Sequence, residues 1–139
     1  MNNKEIQLIR NSWNEVIKMA DVAGPLFYKR LFEIAPEVEP LFPTGDRTPQ
    51  YKKLFKMLSY VVEKLDSLDE ILNVVSNLAK QHLAYGVKED HYRYVGEALL
   101  WTLERGLGEN WTPNTKDAWI KCYGLLSEAM IHASKEQVA

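Results

Sequence analysis

Leu68-Asp69-Glu70-Ile71-Leu72-Asn73-Val74-Val75-Ser76-Asn77-Leu78-Ala79-Lys80-Gln81-His82-Leu83-Ala84-Tyr85-Gly86 is the stretch on which the fold turns. Ile71, Val75, Leu78 and His82 recur at helical steps of three and four, so they share one face of a helix. Ser67 with Glu70 three residues on has the spacing of a capping box, and Gly86 predicts the stop. His82 extends an apolar stripe and therefore points into the core. Desolvation keeps a buried imidazole neutral, and the neutral form is the one that ligates metals. A histidine hydrogen-bonded within the core has the same signature. Taken alone, the stripe leaves both readings open, with the core histidine the commoner case.

Outward from this segment the same periodicity recurs, and strand alternation is absent. Ile6, Ile9, Trp13, Val16 and Ile17 mark a first helix. Gly24-Pro25 opens a second, through Leu26, Phe27, Tyr28, Leu31 and Phe32 to Pro36. Pro36, Pro40 and Pro43 then permit only a short helical turn around Val38 and Leu41, and residues 43–48 read as the least regular stretch. Thr48-Pro49 reads as an N-cap with proline in the first turn, before the inner stripe Leu54, Met57, Leu58, Val61, Val62 and Leu65. A later stripe, Tyr92, Val95, Leu99 and Leu103, ends at Gly106 and Gly108. Thr112-Pro113 repeats the cap signal ahead of Trp119, Tyr123, Leu126 and Met130. Six or seven helices of unequal length predict an all-α fold, and the prolyl loop over 36–49 argues against a simple four-helix bundle.

The 139 residues suit one domain, 1–139. A hydrophobic fraction of 46% with 26% charged residues excludes disorder and a disulfide scaffold. A net charge of −2 gives no field to recruit nucleic acid or an anionic membrane. The single Cys122 fits a reducing compartment, and its apolar helical neighbours predict a buried, inert thiol. With no apolar leader in the first residues and no run of 18 apolar residues, a cytoplasmic location is expected. Gly106-Leu107-Gly108 lacks the third glycine and the strand of a dinucleotide fingerprint. The P-loop, the nucleophile elbow and zinc-finger spacing are missing. Asn110-Trp111-Thr112 reads as a capping loop rather than a glycosylation site.

Two further polar residues stand on apolar faces. Tyr28 lies among Leu26, Phe27, Leu31 and Phe32, and Gln50 extends the stripe of Leu54 by one turn. Each needs a partner, either the other or a polar group bound in a cavity. His91, at a helix start, and His132, near a polar C-terminus, lack such settings.

The segment Phe27-Tyr28-Lys29-Arg30-Leu31-Phe32, then Pro36 and Leu41-Phe42, resembles the second helix and following corner of globins. Lys80-Gln81-His82-Leu83-Ala84-Tyr85-Gly86-Val87, with His91-Tyr92 and Val95-Gly96 after it, is similar to their proximal segment. Trp119, Tyr123 and Gly124 match the last helix. The resemblance runs from about Ile6 to Met130. It is closest to bacterial single-domain globins related to the haem domain of flavohaemoglobins, and to neuroglobin-like proteins. It implies a fold of six to eight helices around haem b.

On this resemblance His82 is the axial iron ligand, and Phe42 packs on the porphyrin. Tyr28, Gln50 and Leu54 form the distal trio, while Tyr92 and Val95 lie on the proximal side. A shift of one residue after the loop would put Tyr51 in place of Gln50; the phase of the stripe favours Gln50. Tyr28 O–H and Gln50 N–H can donate to a polarised diatomic ligand, each bond slowing its loss about tenfold. Carbon monoxide, less polarised than oxygen, gains less. The proximal glutamate of flavohaemoglobins falls at Ser134, with Glu136 two residues later, which puts peroxidase-like activation in doubt. The expected function is oxygen binding at a five-coordinate iron. The alternative is conversion of nitric oxide to nitrate with a separate reductase, and a haem-free helical interaction module is the third. Oligomeric state is not legible in the sequence.

Overall fold

The computed structural model describes residues 1–42, 45–84 and 86–138, without the side chains of 83, 84, 134 and 136–138. Its helices are α1 (Asn3–Ile17), α2 (Ala20–Ile34), α3 (Thr48–Glu63), α4 (Leu68–Ala84), α5 (Glu89–Leu107) and α6 (Pro113–Val138). Short 3-10 segments, Pro36–Leu41 and Gly108–Asn110, follow α2 and α5. Among the described residues there is no strand, and no helix is long and apolar enough to cross a membrane.

α1 begins at a full capping box: the Asn2 side chain accepts from the Glu5 N–H at 2.8 Å, and the Glu5 carboxylate accepts from the Asn2 N–H at 3.0 Å. Its buried face, Ile6, Ile9, Trp13 and Val16, is the stripe expected from the sequence. Two indoles tie this helix to its neighbours. Trp13 Nε1–H donates to Ser59 Oγ in α3, and Trp119 Nε1–H from α6 donates to Ser12 Oγ, both at 2.8 Å. The Ser12 hydroxyl donates onward to α1's own carbonyls at Leu8 and Ile9. A buried N–H without an acceptor is costly, so these bonds fix which faces meet as well as holding them.

Several boundaries differ from the sequence reading. α2 starts at Ala20 rather than at Gly24-Pro25, because the Val22 and Ala23 N–H groups already bond the Met19 carbonyl. Pro25 sits inside the helix, and Gly24 has a packing role: a Cβ there would lie 2.4 Å from the Tyr51 ring. Thr48 is the first residue of α3, not its cap; its N–H and hydroxyl both bond the Asp46 carboxylate. At the start of α4 the Glu70 N–H goes to the Ser67 carbonyl oxygen, and the Glu70 carboxylate pairs with Lys64 at 3.3 Å instead of closing a box. Thr112 does cap α6, accepting from the Thr115 N–H at 3.1 Å.

The inner stripe of α3 is also turned relative to the reading. Tyr51, Phe55, Leu58, Val61 and Val62 are buried, whereas Leu54 and Met57 are half-buried. α3 packs on α1 and α2, while α4, the next helix, packs on α6; α2 crosses α5. Consecutive helices α3 and α4 therefore rest on different neighbours. Each presents a second, half-covered apolar face: Gln50, Leu54 and Met57 on α3, Leu78 and His82 on α4.

Candidate functional site

His82 stands in the last turn of α4, and three features fix it. Its ring Nδ1 lies 2.9 Å from the Leu78 carbonyl oxygen one turn back. A carbonyl oxygen only accepts, so Nδ1 is the donor of this bond, and Nε2 is the ring nitrogen left for another partner. The His82 carbonyl in turn accepts from the Val87 N–H at 3.0 Å. That bond closes over Gly86, whose φ of +87° is the left-handed conformation that ends helices. Finally, the imidazole stacks on the Tyr92 ring, centroids 6.4 Å apart with planes 23° from parallel.

Tyr92 is buried in the first turn of α5, and it is held from behind. The Tyr123 hydroxyl of α6 donates to the Tyr92 carbonyl oxygen at 2.5 Å. Tyr123 approaches this closely because residue 96 is glycine; a Cβ there would lie 2.6 Å from the Tyr123 ring. Burial raises the Tyr123 hydroxyl far above its ordinary range, so it stays a donor. Val95, one turn beyond Tyr92, is half-buried on the same helix.

A second cluster gathers around Tyr28. Its ring meets Phe27 and Phe42 edge-on at 5.0 and 5.4 Å and lies 6.1 Å from Phe32; Phe32 and Phe42 also meet, at 5.6 Å. Such edge-on pairs rigidify an apolar wall. Phe42 takes its place because the 3-10 segment ends there, its N–H bonding the Glu39 carbonyl. Burial pushes the Tyr28 hydroxyl up to about 12, against a smaller opposing pull from the Arg47 guanidinium. Among the described residues no group hydrogen-bonds that hydroxyl; in particular Tyr28 and Gln50 do not bond each other. The open alternative in which each satisfied the other is thus not what the fold adopts.

Gln50 and Leu54, one turn apart on α3, are both half-buried. Tyr51 faces the opposite way: its ring is wedged against Gly24, and its hydroxyl donates to Asp21 Oδ1 at 3.0 Å. The one-residue alternative for Gln50 is therefore occupied elsewhere. A cleft of about 380 Å³ runs beside Tyr28, with Pro25, Phe32, Arg47, Thr48 and Tyr51 among its walls.

Sequence reading missed three parts of this arrangement. Arg47 lies over the Phe32 ring at 4.9 Å and reaches Glu39 at 4.0 Å, which ties the start of α3 to the aromatic cluster. The Gly24–Tyr51 wedge hid behind the Gly-Pro signal. The Tyr123–Tyr92 bond had a signal in Gly96, whose spacing marks a close helix approach. His91 is half-buried in the first turn of α5, its Nδ1 accepting from the Lys88 N–H at 3.0 Å. Cys122 is buried, its thiol pushed up to about 12 by desolvation, as an inert core thiol should be. The side chains of Ser134 and Glu136 lie outside the described residues.

Among the described residues no three His, Cys, Asp or Glu side chains converge to hold a bare metal ion. A lone imidazole whose Nδ1 is already engaged suits a metal that brings its other ligands with it.

The Globin family profile matches residues 26–130. The chain is 31% identical over 143 aligned positions to neuroglobin of Tetraodon nigroviridis, covering 94% of this chain and 90% of that protein. It is 30% identical over 141 positions to the flavohemoprotein of Bacillus subtilis (strain 168), covering 98% of this chain and 35% of that protein. Among solved structures, the bacterial globin from Campylobacter jejuni superposes with a TM-score of 0.86 at 27% identity, covering 99% of each chain. A hexacoordinated heme protein from an anhydrobiotic tardigrade shares the fold, with a TM-score of 0.85 at 18% identity over 97% of this chain.

Proposed function

The chain belongs to the globin family, and from that premise we propose that it binds oxygen at a five-coordinate haem b held by His82. Family membership implies a haem cofactor and diatomic gases as ligands. Haem iron, when bound, supplies an open coordination position for such a gas. The observation that carries the assignment is the 2.9 Å contact between His82 Nδ1 and the Leu78 carbonyl. It sets the tautomer, orients the ring and makes Nε2 the ligating atom, as outer-shell bonds to ligating histidines do.

The remaining residues divide the work. Tyr92, stacked on the imidazole and anchored by Tyr123, limits rotation of the ring. Val95 adds apolar proximal surface. On the other side Phe42 and Leu54 exclude water, which protects the iron from oxidation. The Tyr28 hydroxyl keeps its proton far beyond neutral pH and has no competing protein acceptor among the described residues, so it is ready to donate to a polarised ligand. Gln50 supplies a second donor from the first turn of α3. No second histidine on α3 competes for the iron.

Likeness to a flavohemoprotein across 98% of the chain supports a second reading, conversion of nitric oxide to nitrate with electrons from a separate reductase. The first test is direct. Purified protein should show a Soret band, and His82→Ala should lose haem or bind it with a ferrous spectrum that added imidazole restores. Equal haem retention and an unchanged spectrum in His82→Ala would defeat the assignment. A colourless wild-type protein would favour a haem-free helical module.

A further inference from the structure

α3 carries Lys52, Lys53 and Lys56, all exposed, and from Thr48 to Val62 it contains no aspartate or glutamate. Among the described residues none of the three has a carboxylate within 4.0 Å, a state they share with other surface cations such as Lys4, Lys18 and Lys29, whereas Arg10, Arg30, Arg47, Lys64, Lys121 and Lys135 do. Two acidic groups beside Lys52 already hold hydrogen bonds. Asp21 accepts from Tyr51, and Asp46 accepts both bonds of Thr48, with Lys52 adding only a lesser pull. Lys52 and Lys56 are one turn apart, a like-charge pair that opposes the helix. Lys52 and Lys53 lie in its amino-terminal half, where positive charge gains nothing from the helix dipole. The chain has a net charge of −2, so the arc is not one sample of a general basic excess. Three exposed lysines within five residues, with no acid between them on the helix, make a local positive patch that a partner of opposite charge can use.

Its place in the fold indicates which partner. The same two turns of α3 that expose these lysines carry the half-buried Gln50 and Leu54, the distal residues of the proposed haem site. A partner seated on the arc is separated from that site by roughly one helix diameter, 10–12 Å. No large hydrophobic residue of α3 is exposed for insertion into a membrane. We propose that Lys52, Lys53 and Lys56 form the docking surface for an acidic protein that delivers single electrons to the haem. This rests on the haem reading above. The exchange is balanced: ferric iron gains one electron, the donor's reduced flavin or metal centre loses one, and no bond forms or breaks. Charge complementarity of this kind sets encounter rate and salt dependence more than affinity.

The probe is a flavodoxin, an acidic protein with a one-electron flavin. Ferric protein is mixed with flavodoxin hydroquinone in a stopped-flow instrument at low salt and near 0.15 M, roughly physiological ionic strength. The wild-type rate should fall with salt. Lys52→Glu/Lys53→Glu/Lys56→Glu should slow it about tenfold or more at low salt, with carbon monoxide association unchanged. The corresponding glutamine variant, a smaller perturbation of the helix, should fall between. A second readout is independent of turnover: titration of fluorescently labelled, oxidised flavodoxin should weaken in the same order. A reduction rate and a titration both within twofold of wild type would overturn the proposal. So would lysine-dependent co-sedimentation with phosphatidylglycerol vesicles and no lysine-dependent flavodoxin binding. A chain purified without a Soret band would overturn the haem reading and this proposal with it, a failure distinct from a haem-loaded protein whose flavodoxin binding ignores the lysines.

Discussion

Gly24→Ala is the substitution most directly set by the geometry. In an unstrained helix it would stabilise, since alanine is favoured over glycine by about 1 kcal/mol. Here the new Cβ would stand 2.4, 2.5 and 2.8 Å from three carbons of the Tyr51 ring. Ordinary carbon contacts are roughly 3.5–4.0 Å, so the ring must withdraw by on the order of 1 Å. Tyr51 is 7% exposed and its hydroxyl is tied to Asp21, so withdrawal breaks that bond or moves α3. Overpacking costs about 1–3 kcal/mol and the lost bond about 1 kcal/mol. Less the propensity gain, the expected destabilisation is about 1–3 kcal/mol, a fall of roughly 1 M in the urea midpoint. Urea titration followed by tryptophan fluorescence measures it. In Gly24→Ala/Tyr51→Ala the clash disappears, so the double variant should be more stable than the sum of the single effects by about 1 kcal/mol or more. Additive effects, or a Gly24→Ala protein as stable as wild type, would show that the wedge does not set the α2–α3 spacing.

Tyr28→Phe should speed oxygen dissociation about tenfold, one net hydrogen bond, with carbon monoxide release changed much less; stopped-flow with both gases reads this. Gln50→Leu should have a smaller effect, because a donor in a first helical turn loses more freedom on bonding than a ring held by three aromatic neighbours. Ferrous, ligand-free protein should give a five-coordinate, high-spin spectrum; sharp low-spin bands would contradict the open distal side. Gly86→Ala forces a Cβ into φ +87° and should loosen the end of α4, read as faster haem loss to an acceptor protein. Because the folded Tyr28 value of about 12 exceeds its unfolded value near 10, its stability contribution is whole below about pH 10 and drains away as pH rises toward 12. The urea midpoint should therefore fall less steeply with alkaline pH in Tyr28→Phe than in wild type.

The helical class and most helix ends were legible because apolar spacing and capping chemistry act locally. Ile6, Ile9, Trp13 and Val16 are buried as their stripe implies, and Thr112 caps α6. What failed depended on distant chain. Gly24 beside Pro25 carries the same local signal whether it starts a helix or admits a ring from α3. The α3 stripe holds at Leu58, Val61, Val62 and Leu65, but in the first turns Tyr51 and Phe55 take the buried side in place of Leu54 and Met57. An aromatic residue with a polar tip reads as surface or core alike until its partner, here Asp21, is in place. His82 stands out on its stripe, but the bond that orients its ring, to the carbonyl of Leu78, is a backbone feature that no residue letter encodes.

The link between Trp119 and Ser12 spans 107 residues, and this separation bears on the order of events during synthesis. Chains emerge from the ribosome amino-terminus first, and α6 is the last helix out. Until it arrives, Ser12 has no indole to bond and α4 has no helix to rest on, because α4 packs against α6. Tyr92 likewise waits for the Tyr123 hydroxyl. The walls around Tyr28 are translated early, whereas the seat of His82 is finished only when the carboxy-terminal third is released. On the proposed haem reading, capture through that histidine would follow translation, and a truncated nascent chain would offer one half of the cradle without the other.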